Sequence, residues 1–414
     1  MSQPTGFRSR PFSRVSAQSI ESAARPLKSE KSEVSHQESA ASKSVPELSV
    51  SDLTRALGDE PNRQPSSKQD FRTRQPSAIL AIRAGTSAAS VRETLRFAKH
   101  DGPTVSFPLT GAQAESLKES NAVSPFTPTN ARVLVHPTKL KPPTHPGDPG
   151  YFAELEKVVD AQLARRDGAH VDELLGARVP KLFEGYTLEQ AADAVHKDLP
   201  TDWPTALLKQ FLAEGARFDA SVVPQMSKSD FVNTVVTAAG VLGMATAAVS
   251  PSAFACKWHA GRARPEEAVW AIHQGSLAGA PTELKEKIEA LKLTSPESFT
   301  AFPEGSPRHP SWPAMHSAAS ISSMVLGVLL DLDEEQLREA RNVDYSVATF
   351  RTVAGVHFET DNLAGLEIGQ QAIEAWLPDF LVQCAGADPD VVRAKIDKVR
   401  YDWSAHPELS INET

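Results

Sequence analysis

The stretch FRTVAGVHFETD at residues 350–361 places Arg351, His357 and Asp361 in one short segment. If this stretch is helical, His357 and Asp361 lie four residues apart on one face. An aspartate that accepts a hydrogen bond from one imidazole nitrogen fixes the tautomer and makes the other nitrogen a better ligand or nucleophile. A His-x-x-x-Asp pair on its own is more typical of a surface contact. Its meaning therefore depends on the rest of the chain.

Two other segments supply side chains of the same kind: KWHAGRARP at 257–265 and HPSWPAMHS at 309–317. The first provides Lys257 and Arg264, and a guanidinium fork suits a tetrahedral oxyanion. In the second, His316 precedes an apolar run, which predicts a position at a helix start and a role as general acid or base. Any one of these residues alone would be read as a surface charge or a capping histidine. Together the three segments suit a site that neutralises a multiply charged oxyanion and bonds to its central atom.

Outward from these segments, the apolar pattern predicts helices. Apolar residues recur on one helical face over 152–163, and Thr187 with Gln190 has the capping-box pattern that opens a helix. Strand signals are confined to 132–136 and 344–349. Further helices are expected at 228–250, 265–276, 282–292, 317–332, 334–341, 361–377 and 389–399. The sequence therefore predicts an all-α protein whose helices pack into bundles.

Composition divides the chain into three parts. Residues 1–75 are rich in Ser, Pro and charged residues, so they cannot bury enough apolar surface to offset their ordering entropy and are expected to form a disordered or extended polar arm. Residues 76–230 are expected to form an N-terminal helical region, which includes a helix near 87–100. Residues 231–414 contain all three segments and are expected to form the catalytic helical bundle with the oxyanion site.

Charge and apolar patterning limit the classes of partner. The chain of 414 residues has a formal net charge of −9, which argues against general nucleic-acid binding. The most apolar stretch, 231–256, is interrupted by polar residues and is expected to be a core helix that ends at Ser250-Pro251, not a membrane span. The two cysteines fit a reducing compartment. A cytoplasmic location is expected, although the basic, serine-containing residues 1–28 also resemble an organelle-targeting segment.

The three segments, taken in order, resemble the vanadium-dependent haloperoxidases and the related type-2 phosphatidic acid phosphatase superfamily. That family's pattern is Lys, six residues and Arg-Pro, then Pro-Ser-Gly-His, then Arg, five residues, His, three residues and Asp. The first element matches at 257–265, and the third matches at 351–361 with both spacings kept. The middle element departs, because Ala314-Met315 stands where the family has Ser-Gly. One hydroxyl donor to the oxyanion is thereby lost.

The resemblance implies an all-α bundle with vanadate as its cofactor. It implies that His357 is the vanadium ligand and that Asp361 orients this histidine. It also implies that His316 is the acid–base group and that Lys257 polarises a bound peroxide. The implied cofactor-binding residues are Lys257, Arg264, Arg351, Ala314, Met315 and His316.

The leading functional hypothesis is a vanadium-dependent haloperoxidase of the bromide type. It would oxidise halide with hydrogen peroxide to a hypohalous-acid equivalent that halogenates an organic acceptor. His309 is included as a catalytic residue because the algal bromoperoxidases carry a histidine at that place. One alternative is a soluble acid phosphatase that forms a phosphohistidine at His357. The other is a non-halogenating oxyanion-binding relative, which Ala314-Met315 keeps open. A homo-oligomer is expected, because relatives commonly form at least dimers.

Overall fold

The computed structural model describes residues 133–197, 202–223, 231–307 and 309–405, and within these ranges the protein is all-α, which confirms the predicted class. The expected arm at 1–75 and the helix near 87–100 lie outside the described residues. The one strand pair in the described ranges is β1 (Arg217–Phe218) with β2 (Leu330–Asp331), antiparallel, with Arg217 opposite Asp331.

The helices of the described ranges fall into two groups along the chain. The first group is α1 Tyr151–Arg166, α2 Val171–Leu175, α3 Leu188–Lys197, α4 Asp202–Ala213 and α5 Phe231–Ala260. The second group is α6 Pro265–His273, α7 Thr282–Ala290, α8 Met315–Ala319, α9 Ser322–Leu329, α10 Glu334–Val353, α11 Glu359–Ala385 and α12 Pro389–Val399. None of these helices has an apolar stretch of the length that crossing a bilayer needs.

Local sequence signals set several helix starts where they were expected. Thr187 and Gln190 exchange reciprocal side-chain to backbone hydrogen bonds of 2.9 and 3.2 Å before α3, which confirms the predicted capping box. Pro265 occupies the first position of α6, where its missing N–H removes no intrahelical bond and its fixed φ suits a helix. Arg264 therefore lies at the N-cap, just outside that helix.

Three sequence expectations are wrong in detail. The core helix α5 does not end at Ser250-Pro251 but continues to Ala260. Proline removes one helical hydrogen bond, and buried residues on both sides, such as Val249 and Ala253, keep the helix packed in the core. The expected strand at 344–349 lies inside α10, and residues 133–136 form no strand. Burial, not strand pairing, explains the apolar residues of 344–349.

The single helix expected at 317–332 is two helices, α8 and α9. The carboxylate of Asp344 accepts hydrogen bonds from the backbone N–H groups of Ser322 and Ser323, at 3.0 and 2.8 Å. These are orphan donors at a helix start, so a buried acid on α10 opens α9 as a separate helix. The same carboxylate accepts from the hydroxyl of Ser320 at 3.1 Å. The break after α8 leaves His316 on a short helix whose position α10 and α11 determine.

Helix α11 lies at the centre of the bundle and packs against α5, α8, α10 and α12. Two glycines on α11 allow α8 to approach closely. A Cβ at Gly365 would lie 2.5 Å from the carbonyl oxygen of Ala314, and one at Gly369 would lie 2.5 Å from that of Ala318. Contacts this short do not occur between real atoms, so only glycine fits at these positions. Glycine at these two positions therefore sets how closely α8 and α11 pack.

The buried apolar residues form two clusters, and the three sequence segments meet between them. The larger cluster is built mainly from α3–α5 and α8–α12, whereas the smaller one joins α1, α6 and α7. Val356 belongs to the larger cluster and Phe358 to the smaller one. His357 therefore lies where the chain passes from one core to the other, and its side chain is only 2% exposed.

Candidate functional site

His357 and Asp361 are in contact, but not along a helix face as the spacing suggested. His357 precedes α11, Phe358 is the N-cap, and Asp361 is the third residue of the helix. The Oδ2 atom of Asp361 accepts a hydrogen bond of 3.0 Å from the backbone N–H of Phe358 and lies 3.3 Å from Nδ1 of His357. The carboxylate therefore caps the start of α11 and orients the imidazole in the same position.

The other ring nitrogen of His357, Nε2, is unprotonated and carries a lone pair. Its Nε2 atom lies 2.9 Å from Nη1 of Arg264, and a guanidinium nitrogen can only donate. Nε2 must then accept, which leaves the proton on Nδ1, facing Asp361. Burial, followed by the charges of Arg264 and Lys257, lowers the pKa of His357 well below its usual range. The imidazole is therefore neutral at neutral pH and presents Nε2 as a base, nucleophile or ligand.

Arg264 ties two of the segments together from the N-cap of α6. Its Nε donates to the carbonyl of His309 at 3.1 Å, and its Nη1 donates to the carbonyl of Val356 at 2.7 Å. Its Nη2 lies 3.0 Å from Nδ1 of His309, so that nitrogen is the acceptor. Burial, then Lys257 and Arg264, lower the pKa of His309 well below its usual range. His309 is thus a neutral residue that supports Arg264 from the side.

Lys257 is fully buried, and all three of its N–H donors are used within the protein. The ammonium donates to the carbonyls of Pro310 and Ser311, at 2.9 and 3.0 Å, and also to that of Pro313. Burial and the neighbouring Arg264 lower the pKa of Lys257, whereas the three carbonyl dipoles favour the charged form. Lys257 therefore fixes the loop that leads to His316. The predicted contact of Lys257 with an oxyanion would require one of these hydrogen bonds to be exchanged.

Arg351, by contrast, is a buried cation with two guanidinium nitrogens that have no acceptor in the described residues. Its side chain projects from α10, the residue is 2% exposed, and neither Nε nor Nη1 has a hydrogen-bond partner in the described part of the chain. The ring of Phe302 lies 5.3 Å from Cζ. Burial and the charge of Arg264 lower the pKa of Arg351 to about 9, and no carboxylate counters them. An uncompensated buried charge costs several kcal/mol, so this guanidinium is poised to receive an anion.

The middle segment contributes His316 from the start of α8. His316 is the second residue of that helix and is partly buried. Burial, then the charges of Arg351 and His196, lower the pKa of its imidazole well below its usual range. A neutral imidazole has an unprotonated ring nitrogen that can accept a proton.

The two substituted positions differ in their surroundings. Ala314 is fully buried, and its backbone N–H donates to the carbonyl of Asp361 at 2.8 Å. That donor is therefore used to join α8 to α11, and the cofactor-binding role expected for Ala314 stays a prediction. Met315 opens α8 and is partly buried. The hydroxyl of Ser317 donates to Oδ1 of Asn362 at 3.1 Å and points away from His357.

Sequence reasoning missed three residues that contact Asp361 directly or through one partner. Ser311 donates its hydroxyl to Oδ2 of Asp361. Arg262 donates to Oδ1 at 2.6 Å and also pairs with Glu154 on α1 at 2.9 Å. The first arginine of GRARP, Arg262, was a visible signal, but Arg264 alone was assigned because it fits the family spacing. No local pattern marks Glu154, which lies 108 residues before Arg262.

The assembled site has one imidazole lone pair, several buried cations and a partly buried neutral histidine. Within the described ranges, no three His, Cys, Asp or Glu side chains form a cluster that could hold a metal cation. The side chains that do converge are those that recognise an oxyanion, and Nε2 of His357 can bond its central atom once Arg264 no longer donates to it.

Comparison with known proteins gives distant similarity only. No protein-family profile and no curated protein sequence matches the chain. Among solved structures, a bacterial vanadium-dependent chloroperoxidase is similar with a TM-score of 0.37 and 12% identity, over 65% of this chain and 53% of that one. The second vanadate-dependent bromoperoxidase of Ascophyllum nodosum, a homohexamer, is similar with a TM-score of 0.36 and 17% identity, over 72% and 57%. The chain thus spans little more than half of either structure, and its function has to be inferred from its own residues.

Proposed function

We propose that the site binds vanadate through Nε2 of His357 and that the protein is a vanadium-dependent haloperoxidase with bromide as its preferred halide. The observation that supports this proposal best is Arg351, a buried guanidinium that has neither a carboxylate nor an acceptor at Nε and Nη1 in the described part of the chain. A protein gains nothing from such a charge unless an anion neutralises it.

The residues present fit a tetrahedral oxyanion. Nε2 of His357 is buried and is held with its lone pair toward Arg264. The guanidinium of Arg351 would donate hydrogen bonds to the oxygens of the anion, and Nη1 of Arg264 would donate to them as well as to its present acceptors. The ammonium of Lys257 would contribute positive charge through the loop that it binds. The missing hydroxyl at Ala314 costs one neutral hydrogen bond, worth about 0.5–1.5 kcal/mol, which the surrounding cations can offset.

Vanadate, when bound, supplies Lewis acidity that activates hydrogen peroxide toward attack by halide. The protein's own residues hold and move protons around it. Asp361 keeps the proton of His357 on Nδ1, so Nε2 stays available as the ligand. His316 is neutral at neutral pH, so one of its ring nitrogens can take a proton from an incoming peroxide and return it to a leaving oxygen. Halide, peroxide and an organic acceptor are the proposed small-molecule partners, and self-association of the chain is proposed with them.

A phosphatase is the second candidate, and one observation favours it. Every N–H of Lys257 is used by a backbone carbonyl, so this lysine offers no donor to polarise a bound peroxide. Phosphoryl transfer does not need Lys257 to polarise a bound peroxide. Nε2 of His357 would attack phosphorus, the ester P–O bond would break, and the leaving oxygen would take a proton from water, because His316 is neutral at neutral pH. Water would then cleave the phosphorus–nitrogen bond to release phosphate.

Two assays on the full chain separate these candidates. Bromination of a phenolic dye that requires vanadate, peroxide and bromide together would support the haloperoxidase. Hydrolysis of an aryl phosphate without peroxide, inhibited by vanadate, would support the phosphatase instead. Arg165→Met is a suitable control, because Arg165 is a buried, ion-paired arginine on α1 that contacts Glu189 and Gln162 and none of the site residues described above. Bromination that proceeds equally without added or bound vanadium would contradict the proposal.

A further inference from the structure

Arg262 is a buried cation near the site that pairs with two carboxylates through Nη1 and Nη2, while its Nε has no partner in the described residues. The residue is 1% exposed. Its Nη1 donates to Oδ1 of Asp361 at 2.6 Å and to the hydroxyl of Thr360 at 2.9 Å. Its Nη2 donates to the hydroxyl of Thr144 at 2.8 Å and to Oε2 of Glu154 at 2.9 Å. One guanidinium therefore joins α1, the loop before it and the start of α11.

The hydrogen bonds around Arg262 determine to which acceptor each of the two neighbouring threonine hydroxyls donates its proton. Thr144 accepts from Arg262, so it donates its own proton to Oε2 of Glu154, at 2.6 Å. Thr360 accepts from Arg262 in the same way and donates to Oε1 of Glu154. Burial lowers the pKa of Arg262, but Asp361 and Glu154 together raise it above its usual range. The guanidinium is therefore held as a cation between two carboxylates.

This pairing determines how Asp361 faces His357. With Oδ1 committed to Arg262, the opposite oxygen, Oδ2, is directed at Nδ1 of His357 and at the backbone N–H of Phe358. The ring of Phe358 lies 3.7 Å from Cζ of Arg262, so the guanidinium also fixes the residue next to His357. Arg262 thus constrains both the acceptor that orients the imidazole and the backbone that carries it.

We propose that Arg262, anchored by Glu154, is a positioning residue of this site, and that it acts together with Arg264, which donates to Nε2, to set the tautomer of His357 by aiming Oδ2 of Asp361 at Nδ1. Arg262 does not reach the lone pair at Nε2 itself. The inference depends on the proposed function in one respect only, namely that the lone pair on Nε2 of His357 binds the oxyanion. The orientation of the imidazole is a property of the protein before any ligand binds.

A purely structural role for the same ion pairs predicts something different. A buried arginine between two carboxylates also links α1 to α11, so its loss would destabilise the fold whatever His357 does. The tautomer of His357 separates the two roles. A structural link lowers stability and leaves the proton on Nδ1, whereas a positioning role moves the proton distribution between Nδ1 and Nε2.

The test is nitrogen NMR of the full chain with ¹⁵N-labelled histidine at about pH 7.5, where His357 is neutral. The His357 signals are assigned by their loss in His357→Gln. In the wild type we expect the proton on Nδ1. In Arg262→Met we expect a mixture of both tautomers, and in Arg262→Lys, which keeps a cation near Oδ1, we expect the wild-type tautomer. Arg165→Met, the matched loss of a buried arginine on α1, is expected to leave the His357 signals unchanged.

Binding of inorganic phosphate, measured by calorimetry on the same proteins, gives a second readout. Loss of a residue that orients a ligand histidine typically weakens binding by about 10–100-fold, and we expect a decrease of this size in Arg262→Met, a smaller one in Arg262→Lys and none in Arg165→Met. If the wild type binds neither phosphate nor vanadate, the proposed function fails, but the tautomer result still decides the role of Arg262.

A folded Arg262→Met protein with the wild-type Nδ1–H tautomer would overturn the inference. If this variant does not fold, Glu154→Gln takes its place, because Glu154 is at the edge of the network with a side chain 10% exposed. Removing the charge that anchors Arg262 is expected to shift the tautomer in the same direction, by less. An unchanged His357 spectrum in folded Glu154→Gln would equally overturn it.

Discussion

Replacement of Arg351 by methionine should stabilise the protein in the absence of an anion and abolish anion binding at the same time. Arg351 is buried without acceptors at Nε and Nη1 in the described residues, and burial together with Arg264 depresses its pKa to about 9. Methionine has a similar length and no charge. The substitution therefore removes a charge that the unliganded protein holds at a cost, along with the donors that an oxyanion would use.

The magnitude follows from two opposing contributions. Replacing uncompensated buried charge by apolar atoms of similar volume stabilises proteins by about 1–4 kcal/mol. The cation–π contact of Arg351 with Phe302, whose centroid lies 5.3 Å from Cζ, is lost, and such a contact contributes about 0.5–1 kcal/mol or more when desolvated. A net increase of about 1–3 kcal/mol in the free energy of unfolding is therefore expected in a buffer without phosphate, sulfate or vanadate.

The assay is urea unfolding of the wild type and of Arg351→Met, each with and without phosphate. Phosphate at about 100 times its Kd should stabilise the wild type by about 2.7 kcal/mol and should leave Arg351→Met unchanged. Arg165→Met is the matched control, because Arg165 is also buried but has Gln162 and Glu189 as partners. It should lose about 1–3 kcal/mol and keep the full response to phosphate.

The opposite result would refute the reasoning. If Arg351→Met loses stability in the anion-free buffer as Arg165→Met does, then Arg351 has acceptors that satisfy it and is a structural residue. If Arg351→Met gains stability but still responds fully to phosphate, then the anion binds somewhere else.

Three further predictions address other parts of the site. His357→Ala should abolish activity, and excess vanadate should not restore it; full rescue would show that another residue is the ligand. Gly365→Ala should lower the free energy of unfolding by about 1–3 kcal/mol, because the new Cβ would lie 2.5 Å from the carbonyl of Ala314; an unchanged urea midpoint would show that α8 is free to move. Stability should fall as the pH falls below about 6.5, because His357 has a depressed pKa, so the unfolded chain binds more protons than the folded one there. Its contribution to the slope is at most about 1.4 kcal/mol per pH unit, and His357→Gln should flatten the dependence in urea titrations at several pH values.

The sequence predicts the fold class and most helices because their signals are local. Capping residues at Thr187 and the proline at 265 act within one turn, and the structure has helices at both places. The errors occur where distant parts of the chain override a local preference. A strand at 344–349 is locally reasonable, but these residues are buried on all sides within α10. Nothing near residues 320–323 reveals that Asp344 will separate α8 from α9.

For the site, the sequence predicts which residues converge better than what each one does there. His357, Asp361 and Arg264 are in direct contact, as the segment pattern implied. The roles of the other groups depend on partners that spacing cannot show. Lys257 binds the carbonyls of a loop more than fifty residues away, and the N–H of Ala314 is used by a backbone carbonyl of α11.

Vanadium content after dialysis is the most direct measurement of whether this pocket holds an oxyanion. Purified full-length protein is equilibrated with vanadate, dialysed against a phosphate-free buffer and examined by elemental analysis, with a phosphate-saturated sample beside it. The structure predicts one vanadium atom per chain, lost in Arg351→Met and displaced when phosphate is present in excess. Vanadium that is absent from the wild type, or retained at the same level when Arg351 is replaced, would contradict the account.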